Sequence, residues 1–109
     1  MGHDIAGYNN RKEEVAYIGY GASDENAWIV YNVLNVENFD LGVSGNGKCK
    51  NFNKEKIELA IELLASISDS DYCYKNRDGL EYERRKINSF LEKCKTVADE
   101  EGNIIIFFR

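Results

Sequence analysis

The sequence predicts an α+β fold: a small antiparallel or mixed sheet, built from an N-terminal hairpin and a C-terminal strand, packed by about three helices. Three observations carry that expectation. Asn103-Ile104-Ile105-Ile106-Phe107-Phe108 is a short unbroken run of β-branched and aromatic residues, the pattern of a strand buried on both faces or inside a small sheet. Near the other end, Glu13 to Tyr20 alternates, with Val15, Tyr17 and Gly19 on one face and Ala16, Ile18 and Tyr20 on the other. Between these ends, two stretches place apolar residues at helical spacing.

The elements follow in order. Asp4-Ile5-Ala6-Gly7-Tyr8 has extended character, and Asn9-Asn10-Arg11-Lys12 supplies turn chemistry before the alternating run, so the pair reads as a β-hairpin. Ser23-Asp24-Glu25 has the makings of a helix start, with a capping hydroxyl and acids at the positive end of the dipole. Ala27, Val30, Tyr31 and Leu34 then keep helical spacing to a stop at Asn35, although the β-branched content leaves a strand open there. Val36 to Leu41 reads as a short strand leading into Gly42-Val43-Ser44-Gly45-Asn46-Gly47-Lys48. Asn53 caps the next helix, which buries Ile57, Ala60, Ile61 and Leu64 and ends near Ser66. A second strong helix spans about Leu80 to Asp99, burying Leu80, Ile87, Phe90, Leu91, Cys94, Val97 and Ala98, and Gly102 stops it. The expected order is ββ-α-α-α-β, in which the C-terminal strand pairs with the hairpin.

A chain of 109 residues suits one core, and residues 1–109 read as a single domain without linker or repeat. Its 43% hydrophobic and 30% charged residues belong to an ordinary globular protein. No apolar run approaches the roughly 20 residues of a membrane span, so no membrane partner is expected. Cys49, Cys73 and Cys94 are odd in number and widely spaced, which suits reduced thiols rather than a disulfide framework. With no basic-then-apolar leader, the expectation is a cytoplasmic protein. Neither a metal nor a cofactor is implied, since zinc sites show paired short spacings that these cysteines lack.

The net charge of −5 argues against a nucleic-acid polymer as partner, because such a partner demands a basic face. The charge is uneven. Residues 1–40 hold two basic and seven acidic side chains, whereas 41–60 hold four basic (Lys48, Lys50, Lys54, Lys56) and two acidic (Glu55, Glu58). The glycine loop therefore lies in the only net-positive window.

That loop resembles the phosphate-binding pattern G-x-x-x-x-G-K-[ST] as far as Lys48, then places Cys49 where a hydroxyl would hold Mg²⁺. The following helix begins near Asn53 rather than at the lysine, and no apolar strand ends in aspartate. Those departures argue against nucleotide hydrolysis. What survives is anion binding: amides of Ser44, Gly45, Asn46 and Gly47 around a phosphate, with Lys48 or Lys50 neutralising it. A plain Gly/Asn turn is the competing expectation. His3, the single histidine, stands beside Asp4 and can hydrogen-bond a ligand, and Tyr8 is among the tyrosines suited to stacking a base. No nucleophile partner for His3 is identifiable, so no catalytic residue is assigned.

Met1-Gly2-His3-Asp4-Ile5, Glu14-Val15-Ala16-Tyr17-Ile18 and Gly42-Val43-Ser44-Gly45-Asn46-Gly47 together resemble a family of small uncharacterised bacterial and phage proteins, over the first half of the chain. The resemblance brings no activity; it implies that the His-Asp entrance and the glycine loop share a site. The functional expectation is a binding protein that captures a small phosphorylated, nucleotide-derived molecule. By analogy, a phage protein of this size would sequester an immune signal in this way. The alternative is a protein–protein inhibitor or adaptor presenting the acidic first third to a basic partner. A homo-oligomer is compatible with either.

Overall fold

The computed structural model describes residues 2–109; Met1 of the opening motif lies outside the described residues. The strands are β1 (Gly2–Tyr8), β2 (Glu14–Gly21), β3 (Lys48–Asn53) and β4 (Asn103–Phe108). They form one sheet in the order β2-β1-β4-β3, antiparallel at every joint. The helices are α1 (Ala27–Val33), α2 (Lys54–Ser66) and α3 (Arg77–Glu101), with short 3₁₀ turns at Glu37–Phe39 and Asp69–Asp71. The α+β expectation holds, including the hairpin and the pairing of the C-terminal strand with β1.

Local chemistry accounts for most boundaries. The hairpin turn is stapled by Asn9, whose Oδ1 accepts from the amides of Arg11 (2.9 Å) and Glu13 (3.0 Å). Asn53 caps α2 by accepting from Lys56 N at 2.9 Å, as its position before the apolar stripe predicts. Gly102 ends α3 in the left-handed region at φ 88°, where a Cβ would be strained, and its amide closes on Ala98 O.

Four expectations change. β3 is a strand missed by the sequence reading, because Lys48-Cys49-Lys50-Asn51-Phe52-Asn53 buries only Phe52 and shows no apolar alternation. The order is therefore ββ-α-β-α-α-β. α1 starts at Ala27, not at Ser23: the intervening residues make a turn in which Asp24 Oδ1 accepts from Asn26 N. Asn26 is buried and spends its side chain on the backbone of Cys73 (2.7 and 2.9 Å) instead of capping the helix. The stretch 36–41 holds a 3₁₀ turn, not a strand, which lets Phe39 pack on Phe108. α3 begins three residues early, capped by Asn76.

The helices cover one face of the sheet. Ile5, Ile18, Phe52, Ile104, Ile106 and Phe108 point into that core and meet Ile29, Tyr31, Ile57, Ile87, Phe90 and Leu91 from the helices. Cys94 is fully buried there, and burial pushes its thiol up to about 12, so it behaves as a small apolar side chain. Strand alternation sends Asp4, Ala6, Tyr8, Tyr17, Ile105, Phe107 and Cys49 to the other face. Among them, Ile105 and Phe107 are only half-buried. Of the two expectations for β4 the second therefore holds: it is an interior strand of a small sheet, between β1 and β3, rather than one enclosed on both faces.

Candidate functional site

The residues singled out in the sequence fall in three places. His3 is the first. It is buried on the core side of β1, and its Nε2 lies 3.1 Å from Gly42 O while Nδ1 lies 2.8 Å from Tyr31 Oη. A carbonyl only accepts, so in the neutral ring Nε2 carries the proton and Tyr31 donates its hydroxyl hydrogen to Nδ1. Burial raises the Tyr31 pKa, which keeps that hydrogen in place. His3 and the glycine loop are thus in contact, but both ring nitrogens are engaged within the protein.

The loop itself is fastened to the C-terminal strand. Gly45 N donates to Arg109 O (3.1 Å) and Gly47 N donates to Phe108 O (2.7 Å). Gly42 N donates to Asp40 Oδ1, Leu41 N to Ser44 O, and Lys48 N to Asn46 Oδ1. Ser44 Oγ donates to the carbonyl of Gly45. An anion cradle requires convergent free amides, and those of Gly42, Gly45, Gly47 and Lys48 are already donated. Glycine is required at 45 because a Cβ there would stand 2.5 Å from the Phe108 carbonyl. The loop's shape is that of a latch on β4.

Asp4 faces the opposite side of β1 from His3, as strand alternation dictates, and accepts a hydrogen bond from the Tyr17 hydroxyl. The two do not form a His–Asp pair. Lys48 is exposed at the start of β3. Lys50 is half-buried on the core side, its ammonium 5.8 Å from the Phe52 ring centroid, and reaches a recess beside α2.

Tyr8 is the third place. It stands on the open face of central strand β1, opposite Ile105 of β4, with its ring edge-on to Phe107 at 5.3 Å and 83°. The Arg109 guanidinium lies 5.3 Å from the Phe107 centroid and 5.8 Å from that of Tyr8, and its Nη2 donates to Tyr8 Oη at 3.1 Å. That hydrogen bond is the main reason the Arg109 pKa is raised. Tyr8, Asn9, Lys12, Ile105, Phe107 and Arg109 together line a cavity of about 460 Å³. Among the described residues, no carboxylate lies within ion-pair distance of Arg109 or Lys12.

The sequence reading named Tyr8 of this group and missed Phe107, Arg109 and Lys12. The signal was the alternation within β4, which the unbroken apolar run conceals. Register supplies what was missing: it sets Ala6 between Tyr17 and Phe107 on the open face.

Among the described residues, no group of three or more His, Cys, Asp or Glu is placed to hold a metal ion, and no helix is long and apolar enough to cross a membrane. No protein-family model, curated protein or solved structure matches the chain.

Proposed function

We propose that this protein captures a small phosphorylated, nucleotide-derived molecule, and that it does so on the open face of its sheet. The observation that carries the proposal is the uncompensated Arg109 guanidinium poised over Tyr8 and Phe107. Aromatic rings on central strands offer a base a flat apolar surface, worth about 1–3 kcal/mol per stacked base. Arg109 and Lys12, free of ion pairs among the described residues, line the same cavity, where they would meet phosphate oxygens. A single nucleotide unit suits the chain better than a polymer, whose phosphates would meet an overall charge of −5.

The glycine loop acquires a supporting role. Arg109 exchanges backbone hydrogen bonds with Asp4 (3.0 Å each way), and its carbonyl also accepts from Gly45 N. The loop and His3 thereby fix the strand end that presents the guanidinium. This preserves the link between the histidine, the loop and the ligand, but through positioning rather than contact.

A thermal-shift screen against mono-, di- and cyclic nucleotides tests the proposal. A ligand at 100 times its dissociation constant adds about 2.7 kcal/mol of stability. The shift is expected with the parent protein and is expected to vanish in Phe107→Ala and Arg109→Ala. The absence of a shift with every phosphorylated nucleotide would contradict it.

A further inference from the structure

Outside the open face, the molecule carries two recesses of opposite charge at the two ends of α1. One, of about 380 Å³, lies between the C-terminal end of α1 and α2, lined among others by Asn32, Glu37, Lys50, Lys56, Leu59 and Leu63. Leu59 is 52% exposed although it sits on a helix whose other face builds the core. Lys50 and Lys56 have no carboxylate within 4 Å among the described residues, so the groove presents two free cations against the single carboxylate of Glu37, a net positive charge beside exposed leucines. The other recess, of about 350 Å³, lies at the N-terminal end of α1 and is lined by Asp24, Glu25, Trp28 and Asp40 together with His3. No cation pairs with those three carboxylates among the described residues, and Leu41 and Val43, exposed at 61% and 49%, follow Asp40 along the chain.

We infer that these two surfaces are halves of one self-complementary interface, and that the occupant of the basic groove is the acidic Trp28 shoulder of a second copy of this chain. The geometry of α1 makes the pairing reciprocal. Trp28 and Asn32 are one helical turn apart on its outer side, and each lines one of the recesses. The seven-residue helix is only about 10 Å long, so both recesses fit within one standard interface. A two-fold axis crossing the middle of α1 sets each acidic recess against the partner's basic groove, twice, and closes the assembly at two chains. Trp28 supplies the apolar anchor against Leu59 and Leu63, and the carboxylates meet Lys50 and Lys56 at the rim, where they select the orientation. The open face of the sheet stays free, so the pairing is independent of the ligand proposal.

Charge reversal with sedimentation velocity tests the pairing. The parent protein is expected to sediment as a dimer whose dissociation constant rises with ionic strength. Lys50→Glu/Lys56→Glu and Glu25→Lys/Asp40→Lys are each expected to weaken self-association by more than about tenfold. Mixing the two variants is expected to restore a dimer containing one of each, because both recess pairs then regain opposite charges. That recovery also demonstrates that both variants are folded. A monomeric parent protein, a dimer that survives either double substitution, or a mixture that fails to pair would overturn the inference. A parent that is monomeric alone but captures a basic protein partner counts against it as well.

Discussion

Arg109 and Glu83 show how single side chains here are tuned by what surrounds them. Arg109 is held over two rings without an anion, an arrangement that costs little while the guanidinium remains hydrated and rewards an incoming phosphate. Glu83, on α3, is the reverse case. Its Oε2 is buried without a hydrogen-bond partner, close to the equally unpartnered hydroxyls of Tyr20 and Tyr72 in electrostatic terms. Desolvation raises its pKa, opposed by Lys86 and reinforced by Asp24. A carboxyl with a raised folded-state pKa binds its proton more tightly in the native protein. Its contribution is therefore fully present below the unfolded-state value and is lost as pH rises through the folded-state value. Glu83→Gln is expected to stabilise the protein near neutral pH and to lose that advantage in acid. The gain stays below about 1 kcal/mol because the group is only half-buried and solvent screens it. Melting temperatures of the two proteins as a function of pH check both the sign and the window.

At the scale of elements, the glycine loop and β4 behave as one unit. Gly45 and Gly47 donate to successive carbonyls of the C-terminal strand, and Gly45 packs against the Phe108 backbone with no room for a Cβ. Gly45→Ala is expected to cost about 1–3 kcal/mol by overpacking, measured by urea unfolding, and to displace Arg109 from its rings. Gly42→Ala has open space around the added methyl and is strained only by its φ of 93°, so the smaller loss is expected there. The sequence made α2 and α3 legible because each carries an apolar stripe ended by a recognisable cap or stop, Asn53 for the first and Gly102 for the last. β3 was not legible. Its inward positions are Lys48, Lys50 and Phe52, and an edge strand with one apolar residue has no periodicity to read. The loop's shape was equally hidden, since hydrogen bonds to residues some sixty positions away decide it.

For the whole molecule, packing all three helices on one side of a four-stranded sheet leaves the other side to solvent. That imbalance converts Tyr8, Tyr17 and Phe107 from strand residues into a surface, with Arg109 just beyond the end of β4. The sequence reading grouped Tyr8 with His3, Asp4 and the glycine loop, whereas the fold sets Tyr8 beside Phe107 and Arg109. His3 and Asp4 are adjacent in the chain yet face opposite ways, and Tyr8 and Arg109 are brought together by strand register across 101 positions. The pairing inferred about α1 uses a different side of the molecule from the proposed ligand surface, so the two are expected to be separable in solution. A variant that dissociates the dimer is expected to retain its nucleotide-induced thermal shift.

The central claim is the location of ligand capture, and backbone amide NMR during titration with a nucleotide identified by the thermal screen tests it most directly. The account predicts that the largest chemical-shift changes fall on Tyr8, Asn9, Lys12, Phe107 and Arg109. Changes confined to His3 and Gly42–Lys48, with the open face unperturbed, would contradict it.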